Sequence, residues 1–132
     1  MTFADTAYFL ALLNPRDEWH EAALRHSQTV AGPLITTTWV LVEIGDALAT
    51  TRNRQWFPDF AADLAATSQV RIIPADEEWF RRGVVLYRAR ADKEWSLTDC
   101  LSFEVMKELG LREALTSDQH FVQTGFRALL RK

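Results

Sequence analysis

Four acidic side chains occupy positions in this sequence where they could carry chemistry. Asp5, Asp99 and Asp118 stand at predicted strand ends or helix starts, and Glu43 lies one turn into an apolar helix. Carboxylate oxygens without His or Cys suit hard divalent cations such as Mg²⁺ or Mn²⁺. A cation held there lowers the pKa of a bound water and stabilises an in-line displacement at phosphorus. If the fold brings the four acids together, they predict metal-dependent hydrolysis of a phosphodiester without a covalent intermediate.

The stretch Trp95–Phe103 predicts the start of a buried helix. Ser96 can cap the helix, and Asp99 falls in the first turn, with Leu97, Cys100 and Leu101 on the side that faces the core. The alternative interpretation of Asp99 is that its charge only complements the helix dipole. The three other acids favour the ligand interpretation.

The remaining site residues also have alternative interpretations. Glu43 could be an edge acid that extends to solvent, with Asp46 one turn on as a substitute ligand. Hydroxyl groups next to the acids could orient a carboxylate or a water from outside the metal's own ligands. Those hydroxyl groups belong to Thr98, Thr116 and Ser117.

Length, composition and charge narrow the class of protein. At 132 residues with 48% hydrophobic and 25% charged residues, we expect a single globular domain over residues 1–132. The single cysteine excludes a disulfide framework within one chain, and we expect a cytoplasmic protein. The N-terminus does not resemble a signal peptide, and no apolar run is long enough to cross a membrane. A net charge of −3 argues against coating nucleic acid by bulk electrostatics but permits local RNA binding.

Strand and helix signals alternate along the chain. This alternation predicts a three-layer α/β/α sandwich with a mainly parallel sheet. We expect Thr38 to cap the third helix, Gly110 to end the sixth, and His20 and His26 to lie on the surface. The expected strands cover residues 2–5, 34–37, 70–74, 111–116 and 126–130, and the expected helices cover 6–13, 16–29, 39–48, 58–67, 75–91, 97–109 and 119–124.

Two groups of arginines could contact phosphate. Arg52 and Arg54 lie in a polar loop, and Arg88 and Arg90 belong to the polar face of the fifth helix. Such groups are usually solvated. Of the two, we expect the Arg52/Arg54 loop to contact RNA.

Two other classes of α/β protein are disfavoured, because this sequence lacks residues that they need. A phospho-acceptor receiver domain needs adjacent acids after the first strand and a lysine after the last one. Here Asp5 is a lone acid, and residues 111–124 contain no lysine. A nucleotide-binding domain needs a glycine-rich phosphate loop, which follows none of the predicted strands.

Four blocks of the sequence together resemble the PIN-domain family, and the nearest likeness is to the VapC-type ribonuclease toxins of bacterial toxin–antitoxin pairs. The blocks occur in the family's order and approximate spacing over essentially the whole chain. They are Phe3–Tyr8, Val42–Ile44, Leu97–Cys100 and Leu115–Phe121, followed by Gly125-Phe126.

The resemblance implies an endoribonuclease that depends on Mg²⁺ or Mn²⁺ and acts on RNA, often tRNA. It also implies a homodimer and a small antitoxin that silences the site. By position, Asp5, Glu43, Asp99 and Asp118 match the family's acidic quartet, and Thr116 matches the hydroxyl residue before the last acid. An inactive PIN-like module that binds a partner, or an RNA-processing or DNA-directed nuclease without a toxic role, would be the alternative.

Overall fold

A five-stranded sheet forms the centre of the computed structural model, which describes residues 1–131. Every pairing between its strands is parallel. The strands run in the order β3-β2-β1-β4-β5 across the sheet. They are β1 (Thr2–Ala4), β2 (Leu34–Thr37), β3 (Val70–Ile73), β4 (Glu113–Leu115) and β5 (Arg127–Ala128).

Seven helices connect and flank these strands, so the predicted α/β fold is confirmed. Crossovers between parallel strands require such connections. The helices are α1 (Thr6–Leu13), α2 (His20–Thr29), α3 (Thr38–Leu48), α4 (Trp56–Ala66), α5 (Glu77–Ala89), α6 (Leu97–Leu109) and α7 (Gln119–Gln123). In the described residues, no helix has the length and apolar character needed to cross a membrane.

The strand order creates a crevice at the carboxyl ends of β1 and β4. From β1 the chain proceeds to β2 on one side, whereas β4 pairs with the opposite side of β1. Open α/β sheets bind ligands where the strand order reverses in this way. Residues that directly follow β1 and β4 therefore face each other across the crevice.

Four helix starts differ from the predictions. α5 begins at Glu77 rather than Ala75, because the Asp76 side chain caps the helix by accepting from the Trp79 amide. α2 begins at His20 rather than Arg16, because the Asn14 and Asp17 side chains accept hydrogen bonds from the backbone amides of Arg16 and Trp19 and hold a turn there. The cap of α3 is Thr37, whose hydroxyl accepts from the Val40 amide, and not Thr38. α4 begins at Trp56, two residues before the predicted start at Pro58. A proline in the first turn lacks only an amide that has no partner within the helix.

The prediction that His20 lies on the surface is wrong. Its ring is half-buried, and Nδ1 lies 2.7 Å from the carbonyl oxygen of Ala11. This contact joins the start of α2 to α1. His26 is likewise half-buried.

Close packing fixes α6 against its neighbours. A Cβ atom at Gly83 would lie 2.5 Å from Leu101 Cδ2, so the lack of a side chain lets α5 approach α6. On α6, the ring of Phe103 packs edge-on against Phe121 of α7, with centroids 4.9 Å apart. This buried contact holds the start of α7 near α6.

Candidate active site

A small acidic cleft of about 330 Å³ lies at the carboxyl ends of β1 and β4. All four predicted acids line it, whereas no lysine or arginine of the described residues does. The fold therefore collects negative charge in a cleft whose own lining, among the described residues, holds no lysine or arginine. The lining residues are Asp5, Thr6, Ala7, Leu10, Glu43, Glu94, Ser96, Asp99, Asp118 and His120.

Asp5 is the most deeply placed acid, with 5% of its surface exposed. It follows β1 directly, and its amide donates to the Leu115 carbonyl oxygen at 3.1 Å, which extends the ladder to β4. The Thr116 hydroxyl donates to Asp5 Oδ2 at 2.8 Å and accepts from the Asp118 amide at 3.0 Å. One hydroxyl thus couples the orientation of the first acid to the backbone of the last.

Glu43 reaches the cleft from α3. Its Oε1 accepts a hydrogen bond from the Thr6 hydroxyl in the first turn of α1. That bond fixes a long side chain that could otherwise extend to solvent. Asp46, the substitute candidate, is exposed and does not line the cleft.

Asp99 enters the cleft from the first turn of α6. Ser96 and Asp99 form a reciprocal capping box, in which the Asp99 amide donates to Ser96 Oγ and the Ser96 amide donates to Asp99 Oδ2. His120 Nδ1 lies 2.9 Å from the same Oδ2. Both bonds go to Oδ2, so Oδ1 is left for a ligand.

Asp118 caps α7 and is more accessible, with 31% of its side chain exposed. Its Oδ1 accepts from the His120 amide at 2.8 Å. Ligand-type atoms of Asp99, Asp118 and His120 all lie within 4.8 Å of one another. Asp5 and Glu43 line the same cleft outside this group of three.

Burial and mutual repulsion raise the pKa values of three of these acids. Burial raises the pKa of Asp5 from 3.8 to about 7, the hydrogen bond from Thr116 opposes the rise, and the charges of Asp99 and Glu43 add to it. The pKa values of Glu43 and Asp99 are also raised, mainly by burial, although the hydrogen bonds from Thr6 and His120 oppose this. A hard cation would offset this repulsion, so the donor set fits a divalent metal.

The cleft also contains residues that the sequence did not single out. Thr6, Glu94 and His120 line it, and two of them bond directly to an acid. Thr6 and His120 could have been found from their positions, because each lies within two residues of a candidate acid in the sequence. Glu94 offered no such signal.

Some predicted neighbours stay apart from the acids. Within the described residues, the hydroxyl groups of Thr98 and Ser117 make no hydrogen bond to the four acids, and neither residue lines the cleft. Arg52 and Arg54 lie in the loop between α3 and α4, and neither lines the cleft. One Arg54 guanidinium nitrogen instead donates to the Ala49 carbonyl oxygen.

Two solved structures resemble this arrangement. VapC20 from Mycobacterium tuberculosis, a toxin that cleaves the sarcin–ricin loop, superposes with a TM-score of 0.88 and 25% identity, over 96% of each chain. FitAcB from Neisseria gonorrhoeae superposes with a TM-score of 0.67 and 17% identity, over 97% of this chain and 95% of its own, and shows the fold alone.

Sequence comparison gives the family directly. No curated protein matches this sequence closely enough to be counted as a relative. The PIN domain family, in contrast, matches residues 2–127, a range that covers nearly the whole chain and includes the positions of all four acids. The chain therefore belongs to the PIN domain family.

Proposed function

We propose that this protein is a divalent-metal-dependent endoribonuclease and the toxin of a toxin–antitoxin pair. The observation that carries the proposal is the collection of four carboxylates in one cleft that no lysine or arginine of the described chain lines. An inactive module that binds a partner would gain nothing from the burial of Asp5 beside other acids, which raises its pKa to about 7.

The metal would be held by the carboxylates of Asp5, Glu43, Asp99 and Asp118. Mg²⁺ and Mn²⁺ are the ions that suit these oxygen atoms. When bound, the ion supplies positive charge that favours ionisation of a water and stabilises the charge that develops on the phosphate. The reaction is hydrolysis of an RNA phosphodiester, in which water adds to phosphorus and the P–O bond to the leaving ribose breaks.

The chain's own residues orient the carboxylates before the substrate arrives. Thr116 holds Asp5, Thr6 holds Glu43, and Ser96 together with His120 holds Asp99. Because each bond fixes one oxygen of a carboxylate, the other oxygen points to a defined place. Pre-orientation of this kind avoids reorganisation during the reaction.

The family resemblance and the neighbour support the substrate and partners that we propose. VapC20 cleaves the sarcin–ricin loop, so a structured RNA loop is the class of target we propose, with tRNA as the other candidate. A small antitoxin would cover the acidic cleft. The active form is a homodimer in the cytoplasm.

Cleavage of a mixed RNA pool tests the reaction. We expect the purified protein to cut RNA with Mg²⁺ or Mn²⁺, and EDTA to abolish cutting. Asp99→Asn keeps the shape and removes the charge, so it should be inactive while still folded. Asp63→Asn changes an exposed acid on α4, outside the cleft, and should cut like the wild type. If Asp99→Asn cuts as fast as the wild type, the proposal is wrong.

Expression in cells tests the toxin role. We expect growth arrest with the wild type, none with Asp99→Asn, and relief by a co-expressed small protein encoded beside it. Mapping of cleaved ends in total RNA separates rRNA loops from tRNA, and light scattering gives the oligomeric state. RNA cleavage in vitro without growth arrest would favour an RNA-processing nuclease.

A further inference from the structure

A second and larger depression lies next to the acidic cleft. It has a volume of about 1090 Å³ and lies between the end of α5, the loop over residues 90–96 and the start of α6. We call it the α5–α6 groove. Glu94 and Ser96 line both the groove and the acidic cleft, so the two are continuous.

Cations gather in the α5–α6 groove, although the whole chain has a net charge of −3. Arg88, Arg90 and Lys93 line it, with Glu94 as the only acid among the described residues that do. Arg90 is bound by Asp92 through two bonds of 2.9 Å. Within the described chain, Arg88 and Lys93 form no ion pair.

Arg88 and Lys93 differ from two other cations, which lie on α5 and form ion pairs. Arg81 is paired with Glu78, and Arg82 lies near Glu104 and Glu108 on α6. Their charges are already compensated, whereas those of Arg88 and Lys93 are available to a ligand.

An exposed aromatic ring lies among these cations. Tyr87 lines the groove and is 54% exposed, so one face of its ring is open to a ligand. Trp95 is buried beneath Arg90, whose guanidinium carbon lies 5.0 Å from its ring centroid. Exposed rings beside cations are the elements with which proteins hold single-stranded nucleic acid.

We propose that the α5–α6 groove binds the RNA strand that flanks the scissile phosphate. Arg88 and Lys93 contact backbone phosphates, and an unpaired base stacks on Tyr87. The acidic cleft repels a polyanion, and the groove offsets this repulsion beside it. This inference rests on the proposed function, and it assigns RNA contact to Arg88 rather than to the Arg52/Arg54 loop.

Charge-matched double variants test the groove. The test variant Arg88→Gln/Lys93→Gln removes the two available cations. Two control variants each remove two positive charges elsewhere, and they are Arg52→Gln/Arg54→Gln and Arg25→Gln/Arg71→Gln. RNA affinity is measured by fluorescence anisotropy in an Asp99→Asn background with Mg²⁺, using a labelled RNA loop. Each phosphate contact with a single strand contributes about 0.7 to the salt slope, so at 0.1 M salt the groove pair should bind roughly 25-fold more weakly.

The salt slope gives a second readout. It should fall by about 1.4 for the groove pair and stay unchanged for the two control pairs. Tyr87→Ala should weaken binding about fivefold or more, whereas Phe80→Ala, an exposed ring on α5 outside the groove, should not. Equal losses in all three double variants, or a loss confined to Arg52/Arg54, would overturn the inference.

The design separates this inference from the proposed function. If the wild type cleaves RNA and the groove pair cleaves it with unchanged kcat/KM and salt slope, the groove inference fails and the nuclease stands. If RNA binds through the groove but is never cut, the groove stands and the nuclease fails. If the groove variants change the mass in sedimentation instead of RNA affinity, the groove is a protein interface and the inference is wrong.

Discussion

Replacement of Asp5 by Asn should stabilise the metal-free protein while removing its response to metal. In the folded chain the pKa of Asp5 is about 7, against an ordinary value of 3.8, because the side chain is buried beside other acids. The ionised form is therefore disfavoured in the folded state. Asn removes the charge and keeps an oxygen that can accept the Thr116 hydrogen bond.

The magnitude follows from the two pKa values. The difference between 3.8 and about 7 corresponds to about 4 kcal/mol at 1.36 kcal/mol per pKa unit, and this is an upper bound for the gain. An unpaired buried amide group in the variant costs about 1 to 3 kcal/mol. We therefore expect a net gain of about 1 to 3 kcal/mol above pH 7, or roughly 3 to 10 °C in Tm.

The sign of the pH dependence is fixed by the raised pKa. Between pH 3.8 and about 7 the folded chain binds more protons at Asp5 than the unfolded chain, so stability falls as the pH rises through this interval. The gain from Asp5→Asn should thus be absent near pH 4, where only the cost of the buried amide remains and the variant is less stable than the wild type, and complete above pH 7. Thermal unfolding in EDTA at several pH values measures it.

Metal addition and a control variant complete this test. With Mn²⁺ above pH 7, the Tm of the wild type should rise, whereas that of Asp5→Asn should rise much less. Asp63→Asn, at an exposed site, should follow the wild type at every pH. If Asp5→Asn is destabilised equally at pH 5 and pH 8, the account of uncompensated buried charge is refuted.

Three further predictions concern the elements that position the site. Gly83→Ala should cost about 1 to 3 kcal/mol in chemical denaturation, because its Cβ would lie 2.5 Å from Leu101 Cδ2, and an unchanged midpoint would contradict this packing. Ser96→Ala should lower the free energy of unfolding by about 1 kcal/mol through loss of the cap, as urea titration can measure; a neutral effect would disprove the role of the capping box. His120→Leu should weaken Mn²⁺ binding about 10- to 100-fold in calorimetry, and His120→Asn, which keeps a donor, should weaken it less; equal losses would exclude the hydrogen-bond role.

The architecture was predictable because strand and helix signals alternate strongly. Ser96, Gly110 and the run after Pro74 define α5 and α6 to within two residues. The start of α2 was not predictable from periodicity, because the Asn14 and Asp17 side chains compete locally for backbone amides. Such competition depends on a few side-chain hydrogen bonds, which the spacing of hydrophobic residues does not reveal.

The acids of the site and the Thr116 hydroxyl that bonds to Asp5 could be located, but the partners of the other acids could not. Residues at strand ends and helix starts meet at the edge of a parallel sheet, so Asp5 and Asp118 were placed by topology alone. The His120 contact with Asp99 depends on how α7 packs on α6, through Phe103 and Phe121. His120 and Asp99 are 21 residues apart in the sequence, so their contact can be identified only in the packed structure.

The hydrogen bond between Thr116 and Asp5 spans 111 residues, and this has a consequence for how the protein is made. The central strand β1 leaves the ribosome long before its neighbour β4. At about 5–20 residues per second, translation of the 111 residues from Asp5 to Thr116 takes roughly 6 to 22 s. During that time Asp5 has no Thr116 and Asp118 does not yet exist. With the metal site proposed above, a nascent chain cannot cut RNA, including its own messenger, before Asp118 has been made.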